Sequence, residues 1–150
     1  MPLYQPPNIN TLVLSQFSLA RKIVAVTGGA RGIGLEVVRG MAEAGVDVAL
    51  LYTSTADAPD SAANIAAMTG KKVKVYKADV TLRSDIAQVL NQVTKDFGRL
   101  DVVVANAGTC TNKPSLEYDE DSWARDNRAN YDGVMWTAQA RPKEARQSSN

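Results

Sequence analysis

Ile23-Val24-Ala25-Val26-Thr27-Gly28-Gly29-Ala30-Arg31-Gly32-Ile33-Gly34 joins a continuous apolar run to a glycine-rich turn and then to a helical pattern. Four apolar residues bounded by Arg21-Lys22 on one side and glycine on the other fit a central parallel strand covered on both faces. Glycine reaches positive φ without steric cost and lets the backbone approach a ligand closely. A helix opening near Ile33 aims its unpaired N–H groups and positive dipole end at the same turn. A pyrophosphate fits that geometry, so Thr27, Gly28, Arg31, Gly32, Ile33 and Gly34 are candidate nucleotide-binding residues. A plain tight turn is the alternative. The glycines at 28, 32 and 34 are spaced G-x-x-x-G-x-G, not the commoner G-x-G-x-x-G.

Working outward, Ile33, Val37, Val38 and Met41 recur at helical spacing with Glu36 and Arg39 turned away, and Gly45 stands where a C-terminal cap belongs. Val46 to Tyr52 reads as a second strand, followed by a polar loop, Thr53-Ser54-Thr55, and a short Ala-rich helix ending at Gly70. Val73, Val75 and Tyr76 mark a third strand. Ile86, Val89, Leu90, Val93 and Phe97 share one helical face, Gly98 ends that helix, and Leu100 to Ala105 forms a fourth apolar strand. A further helix runs from about Asp121, through Trp123, Asn130, Val134, Met135 and Trp136, to about Ala140, before Pro142. The order β-α-β-α-β-α-β implies right-handed crossovers and a parallel sheet. The expected class is α/β, a Rossmann-type doubly wound sheet with its ligand at the carboxyl ends of the strands.

Composition narrows the function. The chain has 150 residues, which favours one domain with a real core. Its 17 Lys+Arg against 16 Asp+Glu leave a formal charge of +1, which argues against a nucleic-acid surface. One cysteine, Cys110, and no histidine exclude an intramolecular disulfide, His-based catalysis and a Cys/His zinc site, so no metal site is expected. A reducing, cytoplasmic setting is the default, and Cys110 is expected to be a small half-buried residue. Leu12-Val13-Leu14 is too short for a signal-peptide core or a membrane span. Residues 1–20, with Pro2, Pro6 and Pro7, read as a loosely ordered leader whose Phe17 and Leu19 dock on the domain edge. Residues 21–140 read as the dinucleotide-binding domain and 141–150 as a divergent polar tail.

About 20 residues past the glycine loop an NAD site usually offers a carboxylate to the adenosine ribose. Here the strand ends Tyr52-Thr53-Ser54, with two hydroxyls, no carboxylate to repel a 2′-phosphate, and Arg31 in the loop to neutralise one. The inference is NADP over NAD, with an ordinary turn and a solvated charge as the bland alternatives. Asp79-Val80 and Asn106-Ala107-Gly108 stand at the ends of the third and fourth strands, on the ligand edge. Taken singly, Asp79 equally suits a helix cap and Asn106-Ala107-Gly108 a turn.

Together these residues resemble the short-chain dehydrogenases/reductases. Thr27 to Gly34 looks like the family's TGxxxGxG loop, Asp79-Val80 like its adenine-contacting pair, Asn106-Ala107-Gly108 like its NAG motif and Asn130 like its active-site asparagine. The tract from Trp123 to Ala140 is similar to fungal sorbose reductase and arabinitol or xylulose reductase-like members, and the resemblance covers roughly residues 17–140. It implies NADP(H)-linked chemistry on a sugar- or polyol-like carbonyl or alcohol, NADP preference through Arg31, and a water held in a proton relay by Asn130. It also implies pairing of copies through the Trp123 to Ala140 helix. Without the family, a backbone hydrogen bond is the plainer role for Asn130.

The family's chemistry needs a serine and a Tyr-x-x-x-Lys pair downstream of Asn130. Tyr131 is the last tyrosine here, and Met135 stands four residues on. Little or no turnover is therefore expected of these residues alone, with the fourth strand left as an open apolar edge and a sugar-like substrate taken only if the other half is supplied. A non-catalytic NADP(H)-binding or interaction module is the second reading. A site for another mononucleotide is the third, although the missing Gly-Lys-Ser/Thr run argues against a P-loop.

Overall fold

The computed structural model describes residues 17–140. The leader up to residue 16 and the tail 141–150 lie outside the described residues. Strands β1 (Ile23–Thr27), β2 (Asp47–Tyr52), β3 (Val73–Lys77) and β4 (Val102–Val104) form one parallel sheet in the order β3-β2-β1-β4. The register pairs Ile23 with Asp47, Val24 with Val102 and Val48 with Val73. Helices α1 (Gly32–Glu43), α2 (Ala58–Thr69) and α3 (Arg83–Phe97) connect consecutive strands. This is the α/β, Rossmann-like architecture that the alternating pattern implies.

β1 is buried throughout because its two faces serve two cores. Val24 and Val26, with Val48 and Leu50, pack on Val38 and Ala42 of α1 and Ala62 and Ile65 of α2. Ala25, Ala49 and Leu51 point the other way, onto Ile86, Leu90 and Val93 of α3. Each buried Val, Leu or Ile contributes about 1.5–3 kcal/mol relative to an exposed one. Gly45, Gly70 and Gly98 all have positive φ at the ends of α1, α2 and α3, which are the stops read from the sequence.

Several local expectations change. Ile33 is exposed, not core-facing; Gly34, Val38 and Ala42 make the buried stripe of α1, because the close approach at Gly34 turns the helix so that Ile33 faces outward. Leu19 packs on the first core layer, whereas Phe17 is exposed. Cys110 is exposed, on a loop that leaves the sheet. β4 is shorter than Leu100 to Ala105: Asp101 turns its carboxylate onto the Ile23 N–H at 2.9 Å, and Asn106 turns its N–H to a side chain.

The last helical tract begins at α4 (Glu120–Asn127), whose N-cap Asp119 accepts from the Ser122 N–H. It widens into a π-helical stretch, Arg128–Asp132, and tightens again in α5 (Gly133–Gln139). Trp136 of α5 packs against the core layer beneath α3. Among the described residues no helix is long and apolar enough to cross a membrane.

Candidate nucleotide-binding cleft

The cleft is built where β1 and β4 end. Thr27, almost fully buried, donates its hydroxyl to the Val104 carbonyl at 3.3 Å and accepts the N–H groups of Asn106 and Ala107, each at 3.0 Å. Asn106 returns its Nδ2 to the carbonyls of Thr27 at 2.9 Å and Gly28 at 3.3 Å. Thr27 and Asn106 therefore lock the two strand ends together, leaving no free side-chain donor on either for a ligand.

That lock explains two of the glycines. Gly28 has φ +64°, and a Cβ there would meet Ala107 Cα at 2.9 Å. A Cβ on Gly34 would sit 2.1 Å from the Gly28 carbonyl oxygen, so helix α1 packs directly on the loop backbone. Gly32, at φ +55°, has open space where a side chain would be. The N-cap Arg31 makes no side-chain cap bond, and the first turn of α1 carries no acidic residue. Its first N–H groups are thus uncapped by side chains, beside open space, where an anion is favoured.

Two adjoining hollows occupy this edge. The outer, about 390 Å³, is lined by Gly28, Arg31, Gly32, Ile33 and Gly34 of the loop, by Thr53 after β2, and by Asn106, Ala107 and Gly108. The inner, about 210 Å³, is lined by Thr27, Gly28, Arg31, Thr53, Asp79, Val80, Ala107 and Gly108. The structure thus gathers the cofactor-binding candidates from four separate stretches, with one exception. Ser54 is exposed and lines neither hollow, while Thr55 lines the outer one. No carboxylate lines the outer hollow, and Arg31 borders both. The Asp79 carboxylate of the inner hollow accepts the Thr81 N–H at 2.9 Å and the Thr81 hydroxyl at 2.7 Å.

Asn130 lies in the π-helical stretch, beyond the inner hollow, and engages Thr109 twice. Its Oδ1 accepts the Thr109 N–H at 2.9 Å and its Nδ2 donates to the Thr109 carbonyl at 2.6 Å. A Cβ on Gly108 would strike Asn130 Oδ1 at 2.5 Å, and one on Gly133 would meet Val80 Cγ2 at 3.0 Å. The late helix therefore presses on both walls of the inner hollow. One turn before Asn130, the buried Asp126 accepts the Thr111 N–H at 2.7 Å and the Tyr118 hydroxyl. The Tyr118 hydroxyl first, and then the Thr111 N–H, hold the Asp126 carboxyl below the usual carboxylate range.

Thr55, Tyr52, Thr109 and Ala129 join the lining without having been singled out in the sequence. Thr55 carried a signal, a third hydroxyl in the same polar loop. Thr109 and Ala129 carried none, because helix packing alone brings them to the edge.

The family description "short chain dehydrogenase" matches residues 22–149, so it extends past residue 140 into the tail. The chain is 37% identical to an NADP-dependent mannitol dehydrogenase of Hypocrea jecorina over 91% of this chain and 52% of that protein. It is 39% identical to a sorbose reductase of Candida albicans over 88% of this chain and 47% of that protein. The crystal structure of an NADPH-dependent 3-quinuclidinone reductase from Rhodotorula rubra superposes with a TM-score of 0.83 at 35% identity, covering 93% of this chain and 53% of that one. The chain thus spans about half the length of these relatives. On the strength of the family match, the glycine loop and the parallel sheet behind it, this chain belongs to the short-chain dehydrogenase family.

Proposed function

We propose that the cleft binds NADP(H) in preference to NAD(H), and that the chain carries the cofactor half of an oxidoreductase acting on a sugar- or polyol-like carbonyl or alcohol. The observation that carries it is the outer hollow: an uncapped helix start, one guanidinium, two threonine hydroxyls and no carboxylate. The relatives support the substrate class, being a mannitol dehydrogenase and a sorbose reductase by name.

The residues present fit such a cofactor. The open space at Gly32 and the free N–H groups at the start of α1 suit the pyrophosphate. Arg31, Thr53 and Thr55 suit a 2′-phosphate, because a guanidinium and hydroxyls complement its charge and acceptors. Asp79, Val80 and Ala129 would hold the adenine in the inner hollow, and Gly108 the adjoining ribose. When bound, a nicotinamide supplies a hydride to a carbonyl carbon or accepts one from an alcohol. The chain's own contribution is to bind, to orient and to exclude water along this edge. Asn130, by holding Thr109, fixes the wall beyond which a proton donor would act. Turnover needs that donor, a phenol tuned by a neighbouring ammonium, and Tyr131, the last tyrosine in the sequence, has Met135 and not a lysine four residues on. A cytoplasmic setting goes with NADPH-linked reduction and with a lone exposed thiol. Exposed Trp123, Val134 and Met135 along α4 and α5 suit pairing with a second copy.

One observation favours the second reading, a non-catalytic NADP(H)-binding or interaction module. The Asn130 carboxamide is committed to the Thr109 backbone through both its oxygen and its nitrogen. Calorimetric titration with NADPH and NADH tests the cofactor, and NADPH oxidation with ketohexoses, measured with the C-terminal half of a relative supplied in trans, separates the two readings. Saturable binding that prefers NADPH is expected. Arg31→Ala should weaken NADPH about 30-fold, the loss of about 2 kcal/mol of charge-assisted hydrogen bonding, and leave NADH nearly unchanged. Equal affinity for the two cofactors would sink the NADP assignment, and steady NADPH oxidation would discard the non-catalytic reading.

A further inference from the structure

The loop after β4 borders the cleft through Ala107, Gly108 and Thr109. It has no regular secondary structure, and Gly108, Thr109, Cys110 and Asn112 are exposed. Burial holds little of it, so its path depends on hydrogen bonds to its backbone. These come in two groups. Before Gly108, Thr27 Oγ1 takes the N–H groups of Asn106 and Ala107. After Gly108, Asn130 takes both backbone groups of Thr109, and Asp126 takes the Thr111 N–H.

Asp126 and Asn130 stand four residues apart, so one helical face carries both far ties. Of the two, Asp126 is the costlier. It is only 8% exposed, its Oδ2 accepts from Thr111 and Tyr118, and its Oδ1 has no hydrogen bond and lies 3.7 Å from Arg125 Nε. A buried carboxylate with half of its acceptor capacity unused is expensive, and it lines neither hollow. What it does hold is the loop.

We infer that Asp126 is a positioning residue for the cofactor cleft: by pinning the Thr111 N–H and the Tyr118 hydroxyl it fixes the path of Gly108 and Thr109 along the cleft wall. The inference rests on the NADP(H) reading and adds a residue outside the lining that sets affinity. Without this tie the helical tract holds the loop's backbone only through Asn130, with the Thr111 and Lys113 side chains still reaching Arg125 and Asp119, and part of the cost of ordering the loop moves into the binding step.

The test measures NADPH affinity by calorimetry and amide exchange by NMR on the full chain. Asp126→Ala should weaken NADPH about tenfold, while Asp126→Asn, whose amide oxygen in the place of Oδ2 still accepts from both the Thr111 N–H and the Tyr118 hydroxyl, should recover to within about threefold of the parent. In the ligand-free protein, exchange should rise at Thr109 and Thr111 in Asp126→Ala but stay unchanged at Ala107, which Thr27 holds. Tyr118→Phe, a single-oxygen deletion near the surface, should show the same selective pattern in milder form and serves if Asp126→Ala does not fold. A uniform rise in exchange across the domain, or no recovery in Asp126→Asn, means a general structural role and overturns the inference. Unchanged NADPH affinity in Asp126→Ala overturns it alone, whereas no NADPH binding by the parent overturns the cofactor reading and this inference with it.

Discussion

Gly34 and Gly32 stand two residues apart in one loop, yet the structure constrains them by different means. A side chain at 34 would meet the Gly28 carbonyl at 2.1 Å, a backbone atom that has no room to yield. Gly34→Ala should therefore cost about 3 kcal/mol in chemical denaturation, as an overpacked site. Gly32 has free space but φ +55°, so Gly32→Ala should cost only the left-handed strain, about 1–2 kcal/mol. Equal losses for the two would contradict the packing of α1 on the loop. Thr27 and Asn106 illustrate another point at this scale. Both stood out in the sequence as ligand-edge residues, and both spend their side chains on the junction between β1 and β4.

Among the elements, the two outer strands differ in how they meet solvent. β3 carries Lys74 and Lys77, with Lys72 just before it. Lys72 and Lys74 lie 4.3 and 6.0 Å from the Phe97 ring, and Lys74 pairs with Asp96. Such charges discourage a further strand from adding. β4 offers Val102, Val103 and Val104, with no strand paired on its outer side among the described residues. Val102→Lys should lower concentration-dependent association in light scattering, because a charge on an apolar edge opposes strand addition. Association that stays the same would place the sticky surface elsewhere, for instance around exposed Trp123 and Met135. The late helix was legible as one tract from its periodicity. Its π-helical stretch was not, because a single widened turn leaves the apolar spacing nearly intact over so short a run.

For the whole molecule, the pH response follows from lowered carboxylates and from raised phenols, Tyr76 among them. The Tyr76 hydroxyl, followed by Gln92, pulls the Asp96 carboxyl down, and Lys113 does the same for Asp119. Burial opposes ionisation of Asp101, but Arg99, the Ile23 N–H and Lys22 outweigh it and leave that carboxyl lowered too. Burial, and then Asp96, raise the Tyr76 phenol. Lowered carboxyls stabilise the fold above their unfolded value of about 4, and that stability is lost as the pH falls through the folded values. The raised phenol stabilises below about pH 10 and ceases to do so as the pH climbs past it. With no histidine in the chain, thermal unfolding should be nearly flat from about pH 5 to 9 and fall on both sides. A step near pH 6.5 would refute this. At this scale the division between sequence and structure is also clearest. The sequence alone determined the order of strands and helices, the glycine stops, the parallel class and the family, because each depends on local sterics, on periodicity or on short motifs read in order. Only the tertiary structure decided that Thr27 meets Asn106 across 79 residues, that Ile33 faces out, that Thr55 and not Ser54 lines the cleft, and that Asp126 is buried against the loop. Those outcomes depend on strand register and helix packing, which set where a side chain points only after distant segments have come together.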